Sequence, residues 1–276
     1  MPAKKYIIGE KEFSFDQAYV MGILNVTPDS FSDGGLHFDK DAAVSYGLSL
    51  LEDGADILDI GGESTRPGAE QVSGEEELNR ILPVIQGILR LKKDCIISVD
   101  TTKPLVAEEA LKSGAKIIND ISGLALNPEM LKVVSKNKAG IIIMHMKGEP
   151  RNMQHNPEYK NLILEIYEFL LNQSTKALNS GVNNIFIDPG IGFGKKVEHN
   201  FEIIKRMGEF NKIGFPIVIG NSRKSFIGKT LNLEPAERDI ASAIVDAVSI
   251  NNGARIIRTH NVKLGVQTIK LLNYIC

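Results

Sequence analysis

IISVDTTKPLVAEEALK, at residues 96–112, joins a predicted strand, a polar stop and a predicted helix in that order. Its run at residues 96–99 is largely β-branched, as in a buried strand, and it ends abruptly at Asp100. The apolar residues that follow recur every three or four positions, which predicts an amphipathic helix. The stretch is therefore one βα unit, and repeated βα units build a parallel sheet.

The same unit occurs eight times along the chain. The apolar runs cover residues 20–24, 55–60, 96–99, 116–118, 140–144, 184–187, 216–219 and 254–257. Each run stops at polar or charged residues, and a helix-length amphipathic segment follows. Eight units in 276 residues predict a single (β/α)8 or TIM barrel, which typically needs about 250 residues. All eight stops then lie at one end of the barrel, the end where such enzymes carry their active sites.

Residues 1–18 do not follow this alternation of apolar runs and amphipathic segments. Their pattern predicts a short β-hairpin that caps the closed end of the barrel. Residues 19–276 form the barrel, without a second domain. A doubly wound open sheet is the alternative, and it predicts a ligand only at the switch point of the strand order. Polar residues at all eight strand ends favour the closed barrel.

Three local signals predict helix starts. Ser73 followed by Glu76 is a capping box ahead of a helix over about residues 75–92. The pairs Asn127-Pro128 and Asn156-Pro157 each place an amide at the N-cap and proline at the first helical position.

Composition limits the function classes. The chain is 43% hydrophobic and 24% charged with a formal net charge of -2, typical of a soluble globular protein. Basic residues form no stripe, so we expect no nucleic-acid partner. No apolar stretch approaches the roughly 20 residues of a membrane span, and the start, MPAKK, lacks a signal core, which predicts a cytoplasmic protein without a membrane role. The two cysteines have no paired metal-ligand spacing.

Two polar loops follow the first two runs. NVTPDSFSDGG at residues 25–35 predicts a mobile lid, although a solvated turn uses the same residue types. GGESTRPG at residues 61–68 has glycines that free the backbone to approach a ligand, and Arg66 suits anionic oxygens.

Two glycine-containing segments follow the sixth and seventh runs. DPGIGFGK at residues 188–195 fits neither the dinucleotide fingerprint nor the P-loop, and it predicts a close-packed pocket wall. GNSRKS at residues 220–225 is similar to the anion site that barrels build beside a short helix N-terminus.

Charged residues at the strand ends indicate an anionic, ring-shaped ligand. Asp100 and Asp188 end different strands, so closure brings both carboxylates toward one cavity, where each can accept two N–H donors from a heterocycle edge. Taken alone, each of these two aspartates is equally consistent with a helix N-cap. Arg258 and His260 share one strand face and suit a substrate phosphate. His145 is interpreted as a hydrogen-bonded histidine at the barrel mouth rather than as a catalyst.

The sequence contains no strained GxSxG serine and no HExxH-type ligand spacing. Any metal is therefore expected to be an ion bridged by substrate, such as Mg²⁺. The chemistry must depend on positioning and charge.

From about Tyr19 to the C-terminus these loops resemble those of the dihydropteroate synthase family. The motifs occur in one order: GILNVTPDSFSDGG, GGESTRPGA, VDTTK, NDISG, MHMKG, DPGIGFGK, SRKS and RTHNV. The resemblance implies a transferase in which 4-aminobenzoate displaces diphosphate from the hydroxymethyl diphosphate of 7,8-dihydropterin. It also implies Mg²⁺ and a homodimer formed through the last helices.

Carried over residue by residue, the resemblance assigns a pterin pocket at the strand ends. Its members are Asp100, Asn119, Met144, Asp188, Gly220, Lys224 and Arg258. Asp188 and Asn119 would bind the amino-pyrimidinone edge, and Lys224 would meet the ring carbonyl and pack on the ring. Asp100 would offset developing positive charge.

The resemblance also implies the remaining subsites. Diphosphate would lie against Arg258 and His260 with Thr65 nearby, and Asn25 would contact Mg²⁺. 4-Aminobenzoate would lie between Arg66-Pro67 and Phe193, with its carboxylate at Ser222. The expected catalytic set is Asp100, Lys224, Arg258 and His260.

Three residues depart from the family pattern. Thr102 replaces a common aromatic, Asn221 a common apolar residue, and Asn261 a frequent aspartate. Two alternatives remain: a pterin-binding methyltransferase domain of the corrinoid or methionine-synthase kind, and a non-catalytic pterin-binding paralogue. The complete diphosphate and aminobenzoate loops argue against the first, and the intact charged set argues against the second.

Overall fold

A computed structural model describes residues 5–27, 39–64, 71–148, 153 and 157–275. The strands are β1 (Lys5–Ile8), β2 (Lys11–Ser14), β3 (Tyr19–Asn25), β4 (Ile57–Gly61), β5 (Ile96–Asp100), β6 (Ile117–Asp120), β7 (Gly140–Met144), β8 (Ile185–Asp188), β9 (Ile217–Ile219) and β10 (Ala254–Thr259). The helices are α1 (Lys40–Glu52), α2 (Gly74–Leu91), α3 (Pro104–Lys112), α4 (Glu129–Lys136), α5 (Leu162–Asn179), α6 (Val197–Lys205), α7 (Ser225–Leu231), α8 (Asp239–Asn251) and α9 (Val262–Ile275). Short 3-10 helices cover Met207–Ile213 and Pro235–Glu237.

Strands β3 to β10 form a closed barrel in sequence order, and β10 pairs in parallel with β3 to complete the ring. Isoleucine and valine dominate its strands because parallel strands are buried on both faces, against the interior and against the helices. The closure confirms the predicted (β/α)8 barrel and excludes the open doubly wound sheet.

The hairpin of β1 and β2 packs on the end of the barrel where the strands begin. Its buried residues Tyr6, Ile8 and Phe13 belong to one cluster with strand-start residues such as Ile57. The Tyr6 hydroxyl donates a hydrogen bond to the carbonyl of Ile185 at 2.7 Å. The opposite end, where the strands stop, is not covered by this hairpin.

The start of α2 agrees with its predicted cap. The hydroxyl oxygen of Ser73 accepts a hydrogen bond from the Glu76 amide at 3.1 Å, and α2 follows directly. This bond satisfies one of the amides that an α-helix leaves unpaired in its first turn.

The other two predicted helix starts have different outcomes. Helix α4 begins at Glu129, directly after Asn127-Pro128, but Pro128 is its N-cap and the Asn127 side chain forms no cap bond; the Nδ2 of Asn127 donates instead to the carbonyl of Thr102 at 2.7 Å. The helix predicted after Asn156-Pro157 begins instead at Leu162, where the side chain of Asn161 accepts from the Leu164 amide at 3.2 Å. Asn156 itself lies outside the described residues.

In the described part of the chain, no helix has both the length and the apolarity to cross a membrane.

Candidate active site

Inward and outward side chains alternate along each barrel strand, and the inward set changes from apolar to polar along the barrel. Ile57 and Ile96 point inward near the strand starts. With period two, Asp59 on β4 and Asp100 on β5 share that inward side nearer the strand ends. The strand ends therefore surround a polar cavity. The predicted residues that end strands are Asn25, Asp100, Met144 and Asp188, and Asn119 and Arg258 each lie one residue before the end of a strand.

Arg258 lies at the centre of this cavity between two carboxylates. Its Nε donates to Oδ2 of Asp59 at 2.6 Å and its Nη2 donates to Oδ2 of Asp100 at 2.8 Å. The Nδ2 of Asn119 donates to the same Asp59 oxygen at 3.0 Å. Charge-assisted bonds to both sides fix the plane of the guanidinium group. The cation is therefore oriented before any ligand arrives.

Burial dominates the titration of the two carboxylates predicted from the sequence. It raises the pKa of Asp100 to about 7, although the charge of Arg258 opposes the rise. It raises the pKa of Asp188 to about 6, against the opposing effects of the hydrogen bond from Gly190 and the charge of Lys224. Both carboxyl groups therefore titrate closer to neutral pH than an exposed aspartate does.

The end of β8 is held by a glycine turn. The amide of Gly190 donates to Oδ1 of Asp188 at 2.7 Å. Gly190 has a φ of +73°, and a Cβ there would lie 1.9 Å from the carbonyl oxygen of His145, so only glycine fits. This close packing agrees with the expectation of a pocket wall at residues 188–195.

Lys224 lies against that wall. Its ammonium nitrogen is 4.1 Å from the centroid of the Phe193 ring, a cation–π distance. A Cβ at Gly192 would lie 3.2 Å from Cδ of Lys224, so the glycine leaves room for the lysine stem. Burial, and then the charge of Arg258, lower the pKa of Lys224 to about 8. Lys224 therefore keeps its positive charge near neutral pH.

The loop after β9 meets the end of β10 at the rim of the cavity. The Ser222 hydroxyl lies 2.9 Å from Nδ1 of His260, and the His260 amide donates to the same hydroxyl oxygen at 3.1 Å. Gly220 begins this loop directly after β9. The loop of residues 220–225, which the sequence predicts as an anion site, therefore meets β10, the strand that carries Arg258, at one side of the barrel mouth.

His145 points away from the cavity. Its ring packs edge-on against Phe169 of α5, and its Nδ1 lies 3.1 Å from the ammonium nitrogen of Lys195. Burial, and then the charge of Lys195, lower the pKa of His145 to about 2. The ring stays neutral, which supports its interpretation as a structural histidine.

Two buried residues of this region were missed by the sequence argument. Asp59 does not stand where its apolar run stops but interrupts that run from within, so the pattern of polar stops does not include it. A charged residue on the inward face of a buried strand is the signal that identifies it. Lys195 ends the glycine-containing loop in sequence, but its buried ammonium group also donates to the carbonyl of Phe193 at 3.0 Å.

Several predicted residues lie outside the described part of the chain. Thr65, Arg66 and Pro67 belong to residues 65–70, and most of the predicted lid belongs to residues 28–38. Asn25 lies within the described residues, next to Gly61 and Asp100. A Cβ built on Gly61 would lie 3.9 Å from the Oδ1 of Asn25 and would also contact Asp100. Within the described residues, no group of three or more His, Cys, Asp or Glu side chains could hold a metal ion.

A closed βα barrel with oriented cations and carboxylates at its strand ends defines a barrel enzyme for an anionic, hydrogen-bonding substrate. The chain matches the family model described as "Pterin binding enzyme" over residues 21–260. It is 45% identical to a dihydropteroate synthase of Synechocystis over 96% of this chain and 92% of that protein.

Solved structures agree with these relatives. A Xanthomonas albilineans dihydropteroate synthase with 4-aminobenzoic acid superposes with a TM-score of 0.92 at 37% identity, covering 99% of this chain and 98% of that chain. The enzyme of the same organism with 7,8-dihydropteroate gives a TM-score of 0.88 at 35% identity, with the same coverage. The chain belongs to the dihydropteroate synthase family of pterin-binding enzymes, as the sequence resemblance predicts.

Proposed function

We propose that this chain is a transferase that condenses (7,8-dihydropterin-6-yl)methyl diphosphate with 4-aminobenzoate to give 7,8-dihydropteroate and diphosphate. The observation that carries the proposal is the guanidinium of Arg258, held between Asp59 and Asp100. It lies in a cavity that also contains the buried carboxylate of Asp188. The site thus offers a fixed cation for a leaving anion and carboxylates for a ring rich in N–H donors.

In this proposal the pterin ring binds at Asp188 and Asn119. An ionised carboxylate accepts two parallel N–H donors, which the 2-amino-pyrimidinone edge provides. Lys224 would donate to the ring carbonyl and lie over the ring. The apolar cluster beside it, Ile121, Met144, Met153 and Phe193, would contact the remaining ring surface.

The diphosphate would lie at Arg258 and His260, with the predicted contribution of Thr65. Mg²⁺, when bound, would neutralise part of the diphosphate charge. Asn25 offers one amide oxygen, a donor type that suits this hard cation. Its remaining ligands would come from diphosphate and water, which fits the absence of a carboxylate cage among the described residues.

The aminobenzoate would bind beside Phe193, with its carboxylate at Ser222 and with the predicted contacts of Arg66 and Pro67. The bond between the pterin methylene and the diphosphate oxygen breaks, and its electron pair leaves with diphosphate. The aniline nitrogen then attacks the methylene and releases one proton. Asp100 would offset positive charge that develops on the pterin, and preorganised charge supplies the main stabilisation.

The proposal is tested by mixing the protein with Mg²⁺, the dihydropterin diphosphate and labelled 4-aminobenzoate. Formation of labelled dihydropteroate with an equal amount of diphosphate is expected. Diphosphate release without dihydropteroate, or no reaction at saturating substrates, would contradict it. An Arg258→Ala chain serves as the matched control for contaminating activity.

We also propose that two chains associate through α8 and α9. The apolar face of α8, defined as Ile240, Ile244 and Val248, is exposed at 72%, 62% and 46%. Leu271, Tyr274 and Ile275 on neighbouring α9 are exposed as well. Contiguous exposed apolar surface of this kind marks an interface. The expected cytoplasmic location stays a prediction, which cell fractionation tests.

A further inference from the structure

Helix α8 buries polar side chains. Its buried residues Ser242, Asp246 and Ser249 face the loop after β9. Beside them Ala241, Val245 and Ile250 are partly buried against the core, whereas the apolar face of α8 points to the surface. Buried polar residues on a surface helix are costly unless they make specific hydrogen bonds. The partners of these polar residues therefore matter for the loop after β9.

Asn221 is the partner of this face. It is completely buried, and its Nδ2 donates to Oδ1 of Asp246 at 3.0 Å and to Oγ of Ser249 at 3.1 Å. Asn221 also stands where the sequence departs from the apolar residue common in the family.

The side-chain carbonyl oxygen of Asn221 indicates how Asn221 and Asp246 are hydrogen-bonded to each other. This Oδ1 is buried and accepts no hydrogen bond from the described residues. Burial raises the pKa of Asp246 to about 7, so the carboxyl group carries an O–H donor at mildly acidic pH. A protonated carboxyl facing an amide can both accept from Nδ2 and donate to Oδ1. Such a two-bond pair satisfies both polar groups.

The pair lies directly behind the substrate loop. The backbone carbonyl of Asn221 accepts from the Lys224 amide at 3.2 Å, which closes the turn between them. Within that turn Arg223 has a φ of +56°, and its amide donates to the Ser242 hydroxyl at 3.0 Å. Ser222 and Lys224 therefore lie on a left-handed turn that depends on α8.

We propose that Asn221 and Asp246 form a buried acid–amide pair that positions Ser222 and Lys224 for 4-aminobenzoate and the pterin. Both are positioning residues, because neither reaches the cavity. The inference rests on the proposed synthase reaction. It predicts an effect mainly on substrate affinity, because Asp100 on β5 and Arg258 on β10 are not held by this pair and Lys224 binds the pterin ring.

Steady-state kinetics of the full chain test the proposal with three variants. Asp246→Ala removes both hydrogen bonds and is expected to raise KM for 4-aminobenzoate about tenfold, with kcat changed less than threefold. Asp246→Asn keeps one donor and one acceptor, and it is expected to restore KM to within about twofold of the original. Val245→Ala removes partly buried methyl groups from the same helix, where they pack against the core, so it is expected to lower stability and leave KM unchanged.

The outcomes separate a positioning role from a packing role. A KM for Asp246→Ala that equals that of Val245→Ala would overturn the proposal, as would an Asp246→Asn chain that is impaired like the alanine variant. If Asp246→Ala does not fold, Ser249→Ala removes only the second acceptor of Asn221 and is expected to raise KM about threefold; an unchanged KM overturns the proposal. An unaltered chain that forms no dihydropteroate contradicts the synthase function instead.

Discussion

At the scale of single residues, the orientation of Arg258 depends on a carboxylate that interrupts a strand. Asp59 is fully buried and accepts from both Arg258 and Asn119 through Oδ2. The neutral amide of Asp59→Asn removes the charge that holds the guanidinium on that side. Loss of one partner of a buried ion pair is strongly destabilising because the remaining charge is uncompensated.

We expect Asp59→Asn to lower kcat/KM about 100-fold, equivalent to about 2.7 kcal/mol of transition-state stabilisation. Asp56→Asn is the matched control. Asp56 precedes the same strand at its other end, where its carboxylate accepts from the Val20 amide at 2.8 Å. That variant should lower the melting temperature and keep kcat/KM within about twofold. Equal kinetic losses in both variants would argue that Asp59 acts only through stability.

The pH dependence of pterin binding below neutral pH is also set by a single residue, Asp188. Burial raises the pKa of Asp188 to about 6, so its carboxylate is ionised above that pH and protonated below it. Only the ionised form accepts two N–H donors. Affinity for a pterin analogue, measured by calorimetry, should therefore change little between about pH 7 and pH 8 and fall toward tenfold per unit below pH 6. It should fall again above about pH 8, where Lys224 loses its positive charge.

Asp188→Asn supplies the control for this titration. It should bind the analogue weakly and lose the part of the pH dependence centred near pH 6. Affinity that is the same at pH 5 and pH 7 in the original chain would show that Asp188 does not accept the ring donors in its ionised form.

At the scale of elements, the strands were predictable, whereas the helix starts were predictable only in part. Strands on both sides of the barrel repeat one pattern, an apolar run with a polar stop, because each is buried on two faces. Helix starts depend on which partner a cap finds in the fold. Asn127 has a side chain that suits an N-cap, yet its Nδ2 donates to the carbonyl of Thr102 and the side chain makes no cap bond to α4. No local pattern reveals such a long-range competitor.

The apolar face of α8 yields an element-scale prediction. Ile244→Asp places a charge in the middle of the proposed interface, and burying an unpaired charge there costs more than the association gains. The original chain should sediment at twice its 30.3 kDa mass and this variant at the single-chain mass. Ile7→Asp changes an equally exposed isoleucine, 69% exposed, on the distant hairpin and should leave the dimer intact. Dissociation by both variants, or by neither, would remove α8 from the interface.

At the scale of the whole molecule, the two ends of the barrel differ: the hairpin covers one end, and the candidate active site lies at the other. The closed barrel and most residues of its mouth could be predicted, because alternation within strands and stops between units are local properties of the chain. Asp59, Lys195 and the pair behind the substrate loop could not, because their significance comes from neighbours far away in sequence. Asn221 and Asp246, for example, are 25 positions apart and meet only after β9 and α8 have packed.

Replacement of a phenylalanine by alanine at each end of the barrel should show that one end mainly contributes to stability and the other mainly to substrate binding. Phe13 in the hairpin is buried, with its ring centroid 4.9 Å from that of Tyr19, so Phe13→Ala should cost about 3–5 kcal/mol of unfolding free energy. Phe193 lies at the mouth under Lys224, and Phe193→Ala should raise KM for 4-aminobenzoate about tenfold with a smaller loss of stability. Urea unfolding and kinetics, both at a temperature where each variant is folded, measure the two effects. A hairpin variant that raises KM as much as the mouth variant would show that the two ends are coupled, since the barrel between them would then transmit the loss of packing to the substrate site.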